Sequence, residues 1–446
     1  MIKQCIFTRG FCLILFSLFI LMCVSTQKVH AIENLDPLLR VLIKKGILTE
    51  QEAIEIQKEA KQLKKQEEER RLAKIDSGSK VPKGLKGIKV GMLTYLDYSI
   101  GKEPLASSES GFYSRFRITR GYFTVKKTLT PDLKVRITTD VHQDSIGDWK
   151  LRLKYLYAEL HPKDLGLLTD IKAEIGMGHI PWLDFEEHVN PYRCQGTMAI
   201  ERAGVFNSAD LGISLRGYLG GRLEDPVSKT GSSHYAGRYG SWHIGLYNGS
   251  GYHASENNSN KVVEGRLTIR PLPDRVPGLQ FSYMGIAGEG NREYSGDYPN
   301  YFVNLGMVSY EHPRLILTAQ RFWTTGNAKG NWVVLDPVTG GLRSELNTSG
   351  YSFFGNLRLP ALKDRLSVFA RYDHFDPDTR AEISNSAAYD MLFAGLAFET
   401  GRGDTILATF ETTSYEKDSG GKTAVPSLDL DLGDDYRFQL VYQLKY

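Results

Sequence analysis

Basic side chains recur on every second position of several short stretches. Lys134 and Arg136 alternate with Leu133, Val135 and Ile137, while Lys150, Arg152 and Lys154 alternate with Trp149, Leu151, Leu153 and Tyr155. Arg266 and Arg270 share a face with Glu264 and Thr268, and Arg365 and Arg371 share one with Ser367. A period of two is that of a β-strand, whose successive side chains point to opposite faces. Lys and Arg offer only donors, and the guanidinium fork suits carboxylate or phosphate oxygens in pairs, so such rows bind or guide small anions. Other chemistry is poorly supported. His179, Asp184, Glu186, Glu187 and His188 lie close together but lack H-E-x-x-H spacing, so neither metal nor cofactor is expected. His142, His243 and His253 have no grouped nucleophile, and no G-x-S-x-G or phosphate-cradling loop occurs, so no catalytic residue is assigned.

Alternation requires strands to carry it. From Ile88 onward the chain holds about sixteen alternating segments: 88–100, 115–127, 132–142, 148–161, 170–178, 209–219, 238–248, 260–270, 276–288, 301–311, 313–325, 349–359, 364–375, 388–400, 403–414 and 434–446. The connections after odd-numbered strands are mostly long and those after even-numbered strands mostly short, apart from a longer 220–237. One trimmed end and one elaborated end, with strands of about 11 residues, describe an all-β, 16-stranded antiparallel transmembrane barrel. Closure removes sheet edges without any disulfide. The chain ends DYRFQLVYQLKY, where Tyr436, Phe438, Leu440, Tyr442, Leu444 and Tyr446 occupy alternate positions, as expected of a closing strand. Its terminal aromatic resembles the signal read by bacterial barrel-assembly machinery.

If apolar positions face lipid, those between them face the lumen. On that face we count about seventeen basic residues, among them Lys89, Arg115, Arg117, Lys172, Arg216, Arg358, Arg437 and Lys445, against Asp97, Asp140, Glu174, Glu264, Asp373 and Glu411. Arg120 and Arg321 fall on the lipid face in this register. The basic excess predicts anion preference, although Arg can equally brace a barrel wall.

Residues 1–31 read as a signal peptide: Lys3 and Arg9, an apolar run, then small residues near Ala31. Its removal takes Lys3, Arg9 and Lys28, so 55 basic residues become 52, equal to the 52 acidic ones. The balance argues against nucleic-acid binding. Of four cysteines only Cys194 remains. Residues 32–77 read as a helical, coiled-coil-like segment, with Thr49 and Glu52 as a capping box, and 78–87 as a linker to the 88–446 barrel.

Three stretches add a resemblance: GMGHIPWLDFEEHVNPYRCQGTMAIERAG (176–204), LGISLRGYLGG (211–221) and GLYNGSGYH (245–253). Together with the preface they resemble the phosphate-selective porin O and P family of Gram-negative outer membranes. The resemblance implies passive diffusion of small anions such as phosphate or chloride, a homotrimer embedded in outer-membrane lipids, and a third loop, here 179–208, folded into the lumen. Arg193 and Arg202 would then handle the anion. The same loop holds Asp184, Glu186, Glu187 and Glu201, which keeps a general non-selective pore open as the alternative, beside an outer-membrane barrel enzyme or adhesin.

Overall fold

The computed structural model describes residues 36–49, 51–53, 55–57, 59–60, 63, 83–104, 111–144, 146–401, 403–423 and 425–446. The signal segment and residues 64–82 lie outside these residues. One compact unit ends at Gly87, and the barrel begins at Ile88.

In the first unit, α1 (Pro37–Lys44) opens on Asp36, whose carboxylate accepts from Leu38 N at 2.9 Å. Pro37 stands at the first helical position, where no amide donor is needed. The chain turns at Gly46, and the described residues between 51 and 63 are helical again. Thr49 and Glu52 cap that helix reciprocally: Thr49 N donates to Glu52 at 2.8 Å and Glu52 N to Thr49 Oγ1 at 3.4 Å. Leu39 and Ala53 are the buried pair of this hairpin, backed by Leu42, Ile43 and Leu48.

The second unit is a closed antiparallel barrel of sixteen strands. In chain order these are β1 (Ile88–Glu103), β2 (Gly111–Thr130), β3 (Leu133–Gln143), β4 (Trp149–Leu160), β5 (Leu168–His179), β6 (Ala209–Leu219), β7 (Gly240–Tyr247), β8 (Val262–Ile269), β9 (Leu279–Glu289), β10 (Asn300–His312) and β11 (Leu315–Thr325). After a two-stranded ribbon, β12 (Val333–Leu335) and β13 (Leu342–Glu345), come β14 (Asn347–Leu359), β15 (Leu366–Asp376), β16 (Tyr389–Glu399), β17 (Thr405–Tyr415) and β18 (Asp435–Lys445). All sixteen alternating segments of the sequence are barrel strands. β18 pairs with β1 from Leu93↔Lys445 to Lys102↔Tyr436 and leaves no edge open.

The outer wall carries Phe116, Leu151, Ile213, Phe281, Leu317, Phe353, Leu392, Phe410 and Phe438, all exposed. In water this belt would aggregate; against hydrocarbon it is the favourable surface, while the closed ladder satisfies the strand amides internally.

Two bulges decide which way key side chains point. Tyr95 pairs with Arg120 and Leu96 with Ile118, leaving Thr119 as the extra residue. Beyond it Arg120 turns inward and donates to Asp140 Oδ2 at 2.8 Å, correcting its expected lipid-facing position. Thr138 pairs with Tyr155 and Thr139 with Leu153, so Lys154 is the extra residue of β4. Lys154 and Tyr155 are therefore both buried inside, and Tyr155 does not face lipid as its spacing suggested. Arg321 does face outward, its guanidinium 5.2 Å from the Trp323 ring centre.

The inner wall also departs from simple alternation. Tyr301, Val303, Leu305, Met307, Phe322, Phe354, Phe369, Phe375, Met391, Phe393, Leu407 and Val441 point inward and join one buried apolar cluster. They form a dry wall over the sector from β10 to β18, and something must cover it.

Candidate functional site

The cover is the 180–208 connection between β5 and β6, here termed L3. Its apolar residues Ile180, Trp182, Leu183, Phe185, Val189, Met198 and Ile200 are all buried in that cluster. Full burial stabilises side chains of this size by about 1.5–3 kcal/mol each, so the sequence drives L3 across the lumen. Two short helices carry it, α2 (Leu183–Val189) and α3 (Ala199–Arg202).

Polar clamps fix its course. Tyr192 Oη donates to Asn356 Oδ1 at 3.0 Å, and its ring lies 4.2 Å from that of Phe369. Glu186 accepts from Trp182 Nε1 at 2.7 Å and from Gln320 Nε2 at 2.8 Å. Arg371 donates to Thr197 O at 2.9 Å, and Arg266 to Pro181 O at 2.9 Å. Burial pushes the Glu186 carboxyl up to about 7, with Arg371 opposing. Burial also raises Asp184, but His179, His188 and Arg216 outweigh it and hold that carboxylate well below its usual range.

L3 leaves open the sector on its other side. A cavity of about 580 Å³ lies between the loop and the walls formed by β1, β2, β4, β17 and β18. Eight of its lining residues are basic, Arg117, Arg120, Arg152, Arg193, Arg202, Lys329, Lys422 and Arg437, and two are acidic, Glu201 and Glu411. Tyr95, Phe206 and Tyr252 add aromatic surface.

The charges are organised around carboxylates. Asp140 Oδ2 accepts from Arg120 and Arg152, each at 2.8 Å. Glu411 accepts from Arg437 at 2.9 Å, Lys422 at 3.1 Å, Arg202 at 3.2 Å and Gln195 at 2.6 Å. A side chain at Gly196 would collide with Arg202, so glycine there leaves the guanidinium its path to Glu411. Arg193 forks between Glu187 at 2.8 Å and Glu201 at 2.9 Å. Burial opposes its charge, but Glu201 and Glu187 dominate and push its pKa up, so it stays a cation. The Asp140 group thus carries one surplus positive charge, and the Glu411 group two before Asp435 shares Lys422 at 3.0 Å.

Of the basic residues placed inside the barrel from sequence, Arg117, Arg152, Arg193, Arg202 and Arg437 line this cavity. The others sit elsewhere. Arg136 approaches His179 at 3.3 Å and stacks on Tyr155, and Lys154 donates to Tyr122 Oη at 2.9 Å. Arg266 and Arg371 hold L3, and Arg270 binds Gly237 O and Pro277 O at the trimmed end. Arg365 reaches Thr400 O at 3.3 Å in a turn, Lys134 pairs with His161 at 3.1 Å, and Lys150 pairs with Asp144 at the opposite mouth. Lys329 and Lys422 were not found from sequence, because nothing in a long polar connection signals that it folds inward. Arg120 was hidden by a bulge.

No family model matches the chain, and no curated relative does. Solved structures do. The anion-selective porin of Comamonas acidovorans matches with a TM-score of 0.52 at 9% identity, over 80% of this chain and 99% of that one. The fold is that of the outer-membrane porins. The channel DcaP of Acinetobacter baumannii matches with a TM-score of 0.51 at 9% identity, over 80% of this chain and 97% of that one. OprB of Pseudomonas putida matches with a TM-score of 0.51 at 9% identity, over 81% and 94%. A porin-fold barrel with an apolar outer belt belongs in the Gram-negative outer membrane.

Proposed function

We propose that this chain is an anion-preferring porin, in which small anions such as chloride or phosphate diffuse passively between L3 and the basic wall. The observation that carries the reading is the lining of the cavity, eight basic residues to two acidic. Arg117, Arg120, Arg152 and Arg437 would guide the anion on the barrel side, and Arg193 and Arg202 on the L3 side. A guanidinium already engaged by a carboxylate keeps free N–H donors for a passing anion, since it has five. We read the protein as a channel in preference to an enzyme or adhesin, and as a homotrimer delivered through its C-terminal strand.

A second reading has its own support. Most of the lining cations are paired with carboxylates, which damps their field and favours a general, weakly selective pore. The reversal potential of the reconstituted protein in a KCl gradient separates the two. An anion-selective potential, with phosphate reducing chloride current, supports the first reading; a potential near zero or cation-selective supports the second.

A further inference from the structure

Segment 220–239, between β6 and β7, is the longest connection at the trimmed end of the barrel. It does not remain a surface turn. Its helix α4 (Pro226–Thr230) leads to Gly231, which abuts the β10–β11 turn closely: a Cβ there would lie 3.1 Å from Pro313 Cα. The segment therefore crosses a sector of the mouth from β7 towards β10. Tyr235 then enters beneath L3. Its hydroxyl donates to Asp184 Oδ2, its ring meets Phe185 edge-on at 5.1 Å, and the Arg266 guanidinium stands 5.0 Å from its centre. Next to it, the His234 ring lies on that of His188 at 3.9 Å, tilted by 38°. His188 Nδ1 donates to the Asp184 carbonyl, which fixes the ring against the segment.

We propose that segment 220–239 is a second constriction, set against L3 from the periplasmic side, and that its rim, where His234 stacks on His188, controls anion preference at the exit. The inference rests on the channel reading. L3 alone would leave the sector below it open. On this proposal, solute leaving the basic cavity passes the edge where the two imidazoles lie.

Charges on three elements act on this edge. Asp184 faces both histidines from L3, Lys445 acts on His234 from β18, and Arg222 acts on it from the segment itself. Asp184 is in turn held by His179 at 3.8 Å and Arg216 at 3.6 Å, so its negative charge is largely spent on them. Burial, then the neighbouring His188, lowers His234 to about 4, with Lys445 and Arg222 acting the same way and Asp184 opposing. The sign is then fixed: His234 is neutral near neutrality and gains positive charge as pH falls through about 4. Anion preference should rise over that window.

The test is the reversal potential of the full mature chain in planar bilayers, under a KCl gradient, taken from about pH 7 to about pH 3.5. Every other charged group is common to both proteins when the wild type is compared with H188Q/H234Q, which lacks only the imidazoles. The wild-type anion-to-cation permeability ratio should rise about two- to fivefold. The double variant should show less than half of that rise, and an equal rise overturns the titratable rim. A second variant replaces residues 224–233 with a short Gly-Ser turn. Its single-channel conductance should increase by about half, and an unchanged conductance overturns the second constriction. A wild type that conducts no ions refutes the channel reading itself, whereas a conducting protein whose variants match it refutes this inference alone.

Discussion

Replacing Arg152 with Gln removes one of the two guanidinium groups on Asp140 and takes that cluster from one surplus positive charge to none. A unit charge about 4 Å from a permeating anion is worth about 1 kcal/mol in water and about 4 kcal/mol at the effective dielectric of a protein surface. The cavity is wet, so the lower figure applies, and 1 kcal/mol is about fivefold in local occupancy. Mobile ions screen part of this at about 0.1 M salt, so the anion-to-cation permeability ratio should fall about three- to fivefold and the effect should shrink at about 1 M. Arg266→Gln removes the same charge from a buried position, where the guanidinium donates to Pro181 O and Ser241 Oγ and covers Phe185 at 4.2 Å. Selectivity should barely move there, while loss of charged hydrogen bonds should destabilise the docked loop by roughly 2–4 kcal/mol. Paired reversal potentials at low and high salt give the first quantity, and thermal unfolding followed by circular dichroism gives the second. If Arg266→Gln shifts the potential as far as Arg152→Gln, the division into lining and bracing arginines is wrong.

Glu186 makes L3 docking depend on pH. Its carboxyl moves from an ordinary 4.5 up to about 7 in the docked loop, so docking is strongest below about pH 4.5 and weakens as pH rises towards 7. Current flicker should increase across that window in the wild type and be flat in Glu186→Gln. Burial pushes the Cys194 thiol up to about 12, so a thiol reagent at about pH 8 should leave the folded channel unmodified and label it only after unfolding. Deleting Thr119 removes the β2 bulge but keeps Ile118 opposite Leu96 and Arg120 opposite Tyr95. Arg120 should therefore stay on Asp140, with an anion selectivity close to that of the wild type, again read from the reversal potential.

The barrel was legible because its strands obey one local rule and its turns another. Alternation marked all sixteen, and the contrast of trimmed and elaborated connections gave their orientation. Reading inside from outside was harder. The rule that apolar means lipid-facing works at β3, where Ile137 faces out and Asp140 in, but β10 is apolar on both faces: Tyr301, Val303, Leu305 and Met307 point inward onto L3. A buried plug and a bilayer make the same demand on a side chain, so composition alone does not separate them. Bulges at Thr119 and Lys154 invert the parity of the later positions in β2 and β4, and their only signal was that Arg120 fell on a face where a charge did not belong. The inward acidic set was found: Asp97, Asp140, Glu174, Glu264, Asp373 and Glu411 are all buried within the barrel. That several of them would collect arginines around them depends on positions brought together from distant strands.

The seam between β1 and β18 also sets the order of assembly. Gln439 meets Asp97 across it, 342 residues apart in sequence, whereas most other ladders join neighbours in the chain. Bringing such distant ends together costs about 5 kcal/mol of chain entropy, a cost that local hairpins largely escape. The hairpins can therefore form early, but the ring cannot shut before the last residues of the chain are available. Until that moment both terminal strands are bare edges in a membrane that tolerates none. A chain shortened by its last strand should stall as an open, aggregation-prone sheet and not settle as a fifteen-stranded pore.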